Sequence, residues 1–213
     1  MENLPEKLES QLTTFSSSES FELTQRMAKM IMVSDLIPDK FKGNVSNCVI
    51  ALNMASRIGA DPLMVMQNLY IVHGKPSWSS TFLIAAINGS GKFKGSLKFE
   101  LSGTGDNRQC VAWINDLEGN KLESPPITMA MARAEGWESK AGSKWKTMPE
   151  LMLRYRAAAF FSRLYCPEIT MGMQTVEEIQ DVEILESRIP QPEVVKSEKQ
   201  GLKPSEEQGK LNV

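Results

Sequence analysis

Residues 61–91 read DPLMVMQNLYIVHGKPSWSSTFLIAAINGSG and contain signals for a helix, a β-hairpin and a second helix. The Asp-Pro pair at 61–62 favours a helix start, because aspartate caps a helix and proline suits its first turn. The β-rich run 69–72 and the segment 76–78 flank a His-Gly-Lys turn, which predicts two antiparallel strands. A serine at 79 or 80 then caps a helix that runs to the following glycines.

Two more helices are predicted before this stretch. Residues 21–31 place apolar side chains at roughly helical spacing. Ser46 is placed to cap a helix that runs to Ile58, where Gly59 ends it. Residues 1–20 are rich in Glu, Ser and Thr and contain few aromatic residues, which indicates a flexible arm.

The segment after the hairpin changes to a strand pattern. Apolar and polar residues alternate over 95–102 and 110–115. Turns that contain Gly and Asn separate these two segments from each other and from a third at 121–124. This pattern predicts a three-stranded antiparallel meander. A short helix follows over 128–135. The predicted fold is therefore α+β, a hairpin and a meander packed with helices, with a core domain over 21–185, the arm at 1–20 and a disordered tail at 186–213.

The last predicted helix runs from Pro149 to Tyr165 and places its apolar and basic residues on different sides. One side collects the predicted core residues Leu153, Ala157, Phe160, Phe161 and Leu164. Arg156 and Arg163 lie two turns apart on another side with Ala159 between them. Two arginines beside a small residue suit a phosphate backbone, because both guanidinium groups can reach it. The alternative is that they form salt bridges with acidic residues at 177–183.

Charge is segregated along the chain although the net charge is only −2. Residues 70–98 contain four lysines and no carboxylate, and residues 133–166 contain seven basic residues against three glutamates. Residues 167–186 contain six carboxylates and no Lys or Arg. Such segregation is expected of a protein in which one surface binds a polyanion. The alternative, which is the more common case for runs of charge, is that these residues only cover a solvated surface.

Composition excludes several classes of protein. A pI near 5.6 excludes a uniformly basic nucleic-acid binder. Three widely spaced cysteines and one histidine exclude a zinc knuckle, argue against a disulfide framework and favour a reducing cytosol. We find no phosphate-binding loop for ATP, no Ser-His-Asp set, no apolar run long enough for a membrane span and no signal-peptide pattern at the N-terminus. We therefore expect no catalytic residue, no metal and no cofactor.

Aromatic and basic residues alternate in two places. Trp137 and Trp145 flank Lys140 and Lys144, and Trp78 follows Lys75 at the hairpin. This pattern suits single-stranded nucleic acid, because every base offers a flat surface for stacking. The alternative is that the tryptophans anchor loops to the core.

The order of these elements resembles the RecT/Redβ family of phage single-strand annealing proteins. The resemblance covers about residues 25–185 and rests on three parts of the sequence: the hairpin stretch 61–78 with its following helix, the basic helix segment 152–165, and the acidic residues at 177–179. It implies binding of single-stranded DNA without sequence preference, annealing of complementary strands without ATP, and a homo-oligomeric ring or helical filament. It also implies a partner exonuclease, contact with the host single-strand binding protein, and a bacterial cytoplasmic location.

We expect basic and aromatic side chains from the hairpin region and the late helix to converge into one trough for DNA. The candidate DNA-binding residues are Lys75, Trp78, Lys92, Lys94, Lys140, Lys144, Lys146, Arg154, Arg156 and Arg163. Replacing Arg156 and Arg163 together by alanine is expected to abolish DNA binding without unfolding the protein.

Two other functions remain open at this point. One is a phage structural or assembly protein whose charged blocks serve subunit packing. The other is a nuclease or another metal-dependent enzyme with Asp106, Asp116 and Glu118 as ligands, although all three fall in predicted turns, where such residues are common.

Overall fold

The computed structural model describes residues 15–72, 74–139 and 142–186. It is a mixed α+β fold of helices, a small antiparallel hairpin and a four-stranded antiparallel sheet, which confirms the predicted class. Residues 1–14 of the predicted arm and 187–213 of the predicted tail lie outside the described residues. Residues 18–20 of the predicted arm belong to the first helix.

Three helices form the N-terminal part: α1 (Ser18–Ile31), α2 (Val45–Ile58) and α3 (Pro62–Asn68). The cap of α2 is Asn44, whose side chain accepts a hydrogen bond from the Asn47 amide at 3.0 Å, so the predicted cap at Ser46 was wrong. Gly59 ends α2 with a positive φ of 67°, a conformation that glycine adopts without strain.

The hairpin and the helix after it follow the prediction closely. Strand β1 (Leu69–Val72) pairs antiparallel with β2 (Lys75–Trp78), and Leu69 lies opposite Trp78. Helix α4 (Ser80–Gly89) is capped by Ser79, whose hydroxyl accepts a hydrogen bond from the Phe82 amide at 3.1 Å. His73 of the predicted turn lies outside the described residues.

The sheet contains the three predicted strands and a fourth that the sequence did not predict. Strands β3 (Phe93–Ser102), β4 (Gln109–Asp116) and β5 (Lys121–Glu123) are neighbours in that order, and β6 (Ile127–Thr128) pairs with the other end of β4. A two-residue strand gives no alternation pattern to detect, which explains why it was missed.

The C-terminal part consists of helices α5 (Met129–Ala134), α6 (Lys144–Thr147), α7 (Pro149–Tyr165), α8 (Pro167–Thr170) and α9 (Val176–Glu186). Two 3₁₀ turns lie at Gly105–Asn107 and Trp137–Ser139. The bounds of α7 are as predicted. Its predicted core face is only partly correct, because Leu153, Ala157 and Phe161 are fully buried whereas Leu164 is 57% exposed.

Two clusters of buried side chains stabilise the fold, and α4 connects them. Phe41, Val65 and Trp78 lie in the cluster formed by α1, α2, α3 and the hairpin. Sheet residues such as Ile114 and α7 residues such as Leu153 form the other cluster. Helix α4 contributes Phe82 to the first cluster and Leu83 and Ile87 to the second. The hairpin and the sheet are therefore positioned relative to each other through α4.

No single helix in the described residues is long and apolar enough to cross a membrane. Helices α2 and α3 have sufficient length and composition only when taken together, and they meet at a bend of 113°.

We predict that Leu153→Ala lowers the free energy of unfolding by about 2–5 kcal/mol, because it leaves a cavity between α7 and the sheet. Leu164→Ala, on the same helix but exposed, is the matched control and should change it by no more than about 0.5 kcal/mol. Urea unfolding followed by circular dichroism measures both. Equal effects of the two substitutions would contradict the described orientation of α7.

Candidate nucleic-acid interface

Arg156 lies inside the protein, although the sequence analysis placed it on a DNA-binding surface. Its side chain is 6% exposed and forms ion pairs with Asp181 and, at 3.4 Å, with Glu178. The guanidinium carbon lies 3.9 Å from the centre of the Trp137 ring, which adds a cation–π contact. In this conformation Arg156 cannot reach a phosphate, so its predicted role as a direct DNA contact is corrected.

Helix α9 covers Arg156 because its first turn is tied to the rest of the fold. Thr175 and Glu178 form a capping pair, in which the Thr175 amide donates to Glu178 Oε2 at 2.9 Å and the Glu178 amide donates to Thr175 Oγ1 at 3.3 Å. The strand residue Trp78 forms a bridge with Thr175. One turn later, Asp181 accepts a hydrogen bond from Trp145 Nε1 at 3.0 Å. The acidic residues of α9 therefore lie against the basic side of α7, as the alternative interpretation held.

Arg163 is in an intermediate position. Its guanidinium forms an ion pair with the same Glu178 oxygen that contacts Arg156, yet its side chain is 42% exposed. Ala159, between the two arginines, is buried at 2% exposure. The close approach of a phosphate backbone at Ala159 that the sequence suggested is therefore blocked, whereas Arg163 is still accessible to solvent.

Three tryptophans anchor the structure, so the expectation that Trp78 stacks on bases is corrected. Trp78 is 1% exposed, and its Nε1 donates to the carbonyl of Thr170 at 3.1 Å. Trp137 and Trp145 are 6% and 1% exposed, and their ring centres lie 5.1 Å apart. All three indole rings are fixed by packing in the two clusters of buried side chains. The tryptophans therefore anchor the structure, as the alternative interpretation held.

Lys144 and Lys146 lie exposed on α6, on either side of the buried Trp145. Neither lysine forms an ion pair within the described part of the chain. Lys146 also lines a shallow depression with Arg133. We call Lys144 and Lys146 the α6 lysines. Lys140, from the same predicted group, lies outside the described residues.

The remaining candidates near α4 and α7 and at the hairpin are at least partly exposed, and two of them form ion pairs. Lys75 is exposed at the hairpin turn. Lys92 forms an ion pair with Glu168. Arg154 Nη2 lies 3.8 Å from Oε2 of Glu150, which is one turn earlier on α7. Exposed pairs of this kind contribute little to stability, so both basic groups can exchange partners at low cost.

The candidates do not form one continuous trough. Lys94 pairs with Asn115 across β3 and β4, on the sheet surface opposite Ala112 and Ile114. Those two residues face the core that α7 contributes to. Lys94 and the basic side of α7 therefore lie on different sides of the sheet, and the predicted convergence of all the candidates into one groove is wrong.

Trp113 was not among the residues predicted from the sequence to bind DNA. All four tryptophans are in the described residues, and Trp113 alone among them is partly exposed. The ammonium groups of Lys98 and Lys121 lie over its ring, 4.8 and 4.7 Å from the ring centre. The alternation of residues along β4 could have indicated that Trp113 is exposed, since it falls between the buried residues Ala112 and Ile114.

The carboxylates considered as metal ligands form ion pairs or hydrogen bonds with neighbouring protein groups. Asp106 forms an ion pair with Arg133. Asp116 Oδ1 accepts hydrogen bonds from the amides of Glu118 and Asn120 at 2.9 and 2.8 Å. The hydrogen bond from the Asn120 side chain is the main reason that the pKa of Asp116 is lowered. No group of three His, Cys, Asp or Glu side chains with the arrangement of a metal site occurs among the described residues.

All three cysteines are free and buried. Burial raises the pKa of the Cys110 and Cys166 thiols to about 11, and it raises the pKa of Cys48 as well. Because the thiolate is the nucleophilic form, these side chains are poorly suited to nucleophilic chemistry at neutral pH.

Comparison with family models, curated proteins and solved structures finds no match to this chain.

We predict that Arg156→Ala lowers the free energy of unfolding by about 3–5 kcal/mol, because it leaves Asp181 and Glu178 with less compensation in a buried site. Arg163→Ala should cost clearly less, since the guanidinium it removes is half-exposed. Thermal and urea unfolding of the two variants measure the difference. If Arg156→Ala unfolds like the wild type, the buried ion pairs do not contribute as described.

Proposed function

We propose that this chain binds single-stranded DNA and anneals complementary strands without ATP, acting as a homo-oligomer. The resemblance to the RecT/Redβ annealing proteins supports this function. The structure contributes a mixed α+β core in which a hairpin is followed by a helix and a late basic helix is followed by an acidic one.

The observation that carries the proposal is that four carboxylates of residues 167–181 have partners within the fold, whereas the α6 lysines are exposed. Glu178 and Asp181 are 2% and 6% exposed and are neutralised by arginines. Glu177 accepts a hydrogen bond from Ser80 at 2.7 Å, and Glu168 pairs with Lys92. These carboxylates are therefore engaged within the fold, whereas the α6 lysines and Lys75 are exposed. The exposed α6 lysines can therefore contact a phosphate backbone although the net charge of the chain is −2.

Exposed lysines suit the physical requirement of strand annealing. Two single strands repel each other through their phosphates, and lysines that neutralise phosphates reduce this repulsion. Sequence discrimination then comes from base pairing, so the protein needs no contacts that read base edges. The half-exposed Arg163 is placed to join such phosphate contacts if its ion pair with Glu178 loosens.

The N-terminal helix supports self-association. Residues between 23 and 36 expose several large apolar side chains to solvent, which is unusual unless another surface covers them. They are Leu23 at 44%, Met27 at 39%, Met30 at 71%, Val33 at 74% and Leu36 at 71% exposed. We propose that a second copy of the chain covers this surface in the oligomer. Many weak phosphate contacts on adjacent protomers then add up along one DNA strand.

Further partners follow from the same resemblance. A phage-type exonuclease would supply the single strands, the host single-strand binding protein would hold them, and the annealed duplex would be the product. The resemblance also implies a location in the bacterial cytoplasm.

We predict that Lys144→Ala with Lys146→Ala weakens binding to single-stranded DNA and slows annealing of two complementary labelled oligonucleotides in the absence of ATP. The slope of log affinity against log salt should flatten by about 1.4 per protomer, at about 0.7 for each lost phosphate contact on a single strand. Gel shifts over a salt series and a fluorescence annealing assay give both readouts.

Lys40→Ala with Arg57→Ala removes two exposed positive charges outside α1 and α6 and serves as the charge-matched control. This control should leave the salt slope unchanged. If the wild type neither binds nor anneals single strands, the proposed function is wrong. Oligomers whose size does not respond to single-stranded DNA would then favour the assembly-protein alternative, which the apolar surface of α1 also suits.

A further inference from the structure

The surface of the sheet that faces away from α7 contains an aromatic residue framed by lysines. Along β4 the core side chains are Cys110, Ala112 and Ile114, so Trp113 points to the opposite surface. Lys98 is its cross-strand partner on β3.

The lysines around Trp113 are held by strand register. Asn115, two residues further along β4, pairs with Lys94 on one side and Lys121 on the other. The ammonium groups of Lys98 and Lys121 both contact the ring face. Two lysines thus contact the indole, and Lys94 lies beside Asn115 on the same surface, where it is exposed.

We infer that Trp113 is a stacking site for one base of single-stranded DNA, with Lys94, Lys98 and Lys121 contacting the adjacent phosphates. This inference rests on the proposed function and adds to it a second contact surface, separate from the α6 lysines. It assigns to Trp113 the stacking role that the sequence analysis assigned to Trp78.

The energies of the competing contacts allow a base to replace the lysines. Each lysine over an exposed aromatic ring gains about 0.5–1 kcal/mol, so the two together gain about 1–2 kcal/mol, and base–aromatic stacking at about 1–3 kcal/mol offsets that loss. A bound base therefore displaces the ammonium groups from the ring. Lysine side chains are flexible, so the displaced groups can move to the phosphates on either side of the base.

The charge of this surface indicates that stacking dominates there. Glu123 lies opposite Trp113 on β5, where it pairs with Lys121, and Glu100 lies two residues beyond Lys98 on β3. Two carboxylates among three lysines give only a weak attraction for phosphate. A ligand with phosphates but no bases should therefore bind poorly at this surface, and a single strand with accessible bases should bind well.

The test compares an oligothymidylate with an abasic oligonucleotide of the same length, using tryptophan fluorescence and binding titrations. The other three tryptophans are buried, so quenching of wild-type fluorescence by the thymidylate reports on Trp113. We expect strong quenching by the thymidylate and little by the abasic strand. Trp113→Thr should abolish most of the quenching and weaken thymidylate binding about 5- to 160-fold per protomer, which corresponds to about 1–3 kcal/mol. Its affinity for the abasic strand should not change.

Val111→Thr is the matched control, because Val111 lies on the same surface of the same strand, opposite Glu100. It should bind both strands like the wild type. Trp113→Phe keeps an aromatic ring and should retain most of the affinity, which separates lost stacking from lost folding. The inference is overturned if the wild type binds both strands equally, or if folded Trp113→Thr binds thymidylate like the wild type. Absence of wild-type binding to either strand would instead overturn the proposed function.

Discussion

The buried charge of Arg156 is the constraint on which the arrangement of the C-terminal half depends. A guanidinium taken out of water is costly unless carboxylates and hydrogen bonds replace its hydration. Asp181 and Glu178 supply the carboxylates, Trp137 covers the planar face, and Trp145 donates a hydrogen bond to Asp181. Helix α9 must therefore dock against α6 and α7 for this part of the core to be stable.

This docking divides the basic residues by role. Arg156 stabilises the fold, Arg163 shares the same carboxylate at the boundary with solvent, and the α6 lysines face outward. Glu178 and Asp181, which would otherwise repel a polyanion, are buried and paired with arginines. The proposed DNA contacts therefore fall to lysines and to the sheet surface around Trp113. A protein with slightly negative net charge can in this way still have basic surfaces.

Local signals predicted much of the fold, because they act within a few residues. The Asp61 cap, the hairpin over residues 69–78 and the bounds of α7 all follow from neighbours in sequence. Local signals could not decide between the two predicted orientations of Arg156, since the outcome depends on α9 docking from 22 residues further along the chain. For the same reason Trp78 was predicted to be exposed, although its indole donates a hydrogen bond to the carbonyl of Thr170. The exposed position of Trp113 was readable from strand alternation, but its lysine neighbours come from two other strands.

A double-mutant cycle on Arg156 and Asp181 tests the central claim most directly. Urea unfolding of Arg156→Met, Asp181→Asn and the double variant gives the coupling free energy between the two side chains. A buried and mutually dependent pair should have a coupling free energy of at least about 1 kcal/mol. The double variant should then lose less stability than the two single variants lose in total. The exposed pair of Arg154 with Glu150 should give only about 0.3–0.5 kcal/mol in a parallel cycle. Additive effects at Arg156 and Asp181 would contradict the structural role assigned to this ion pair.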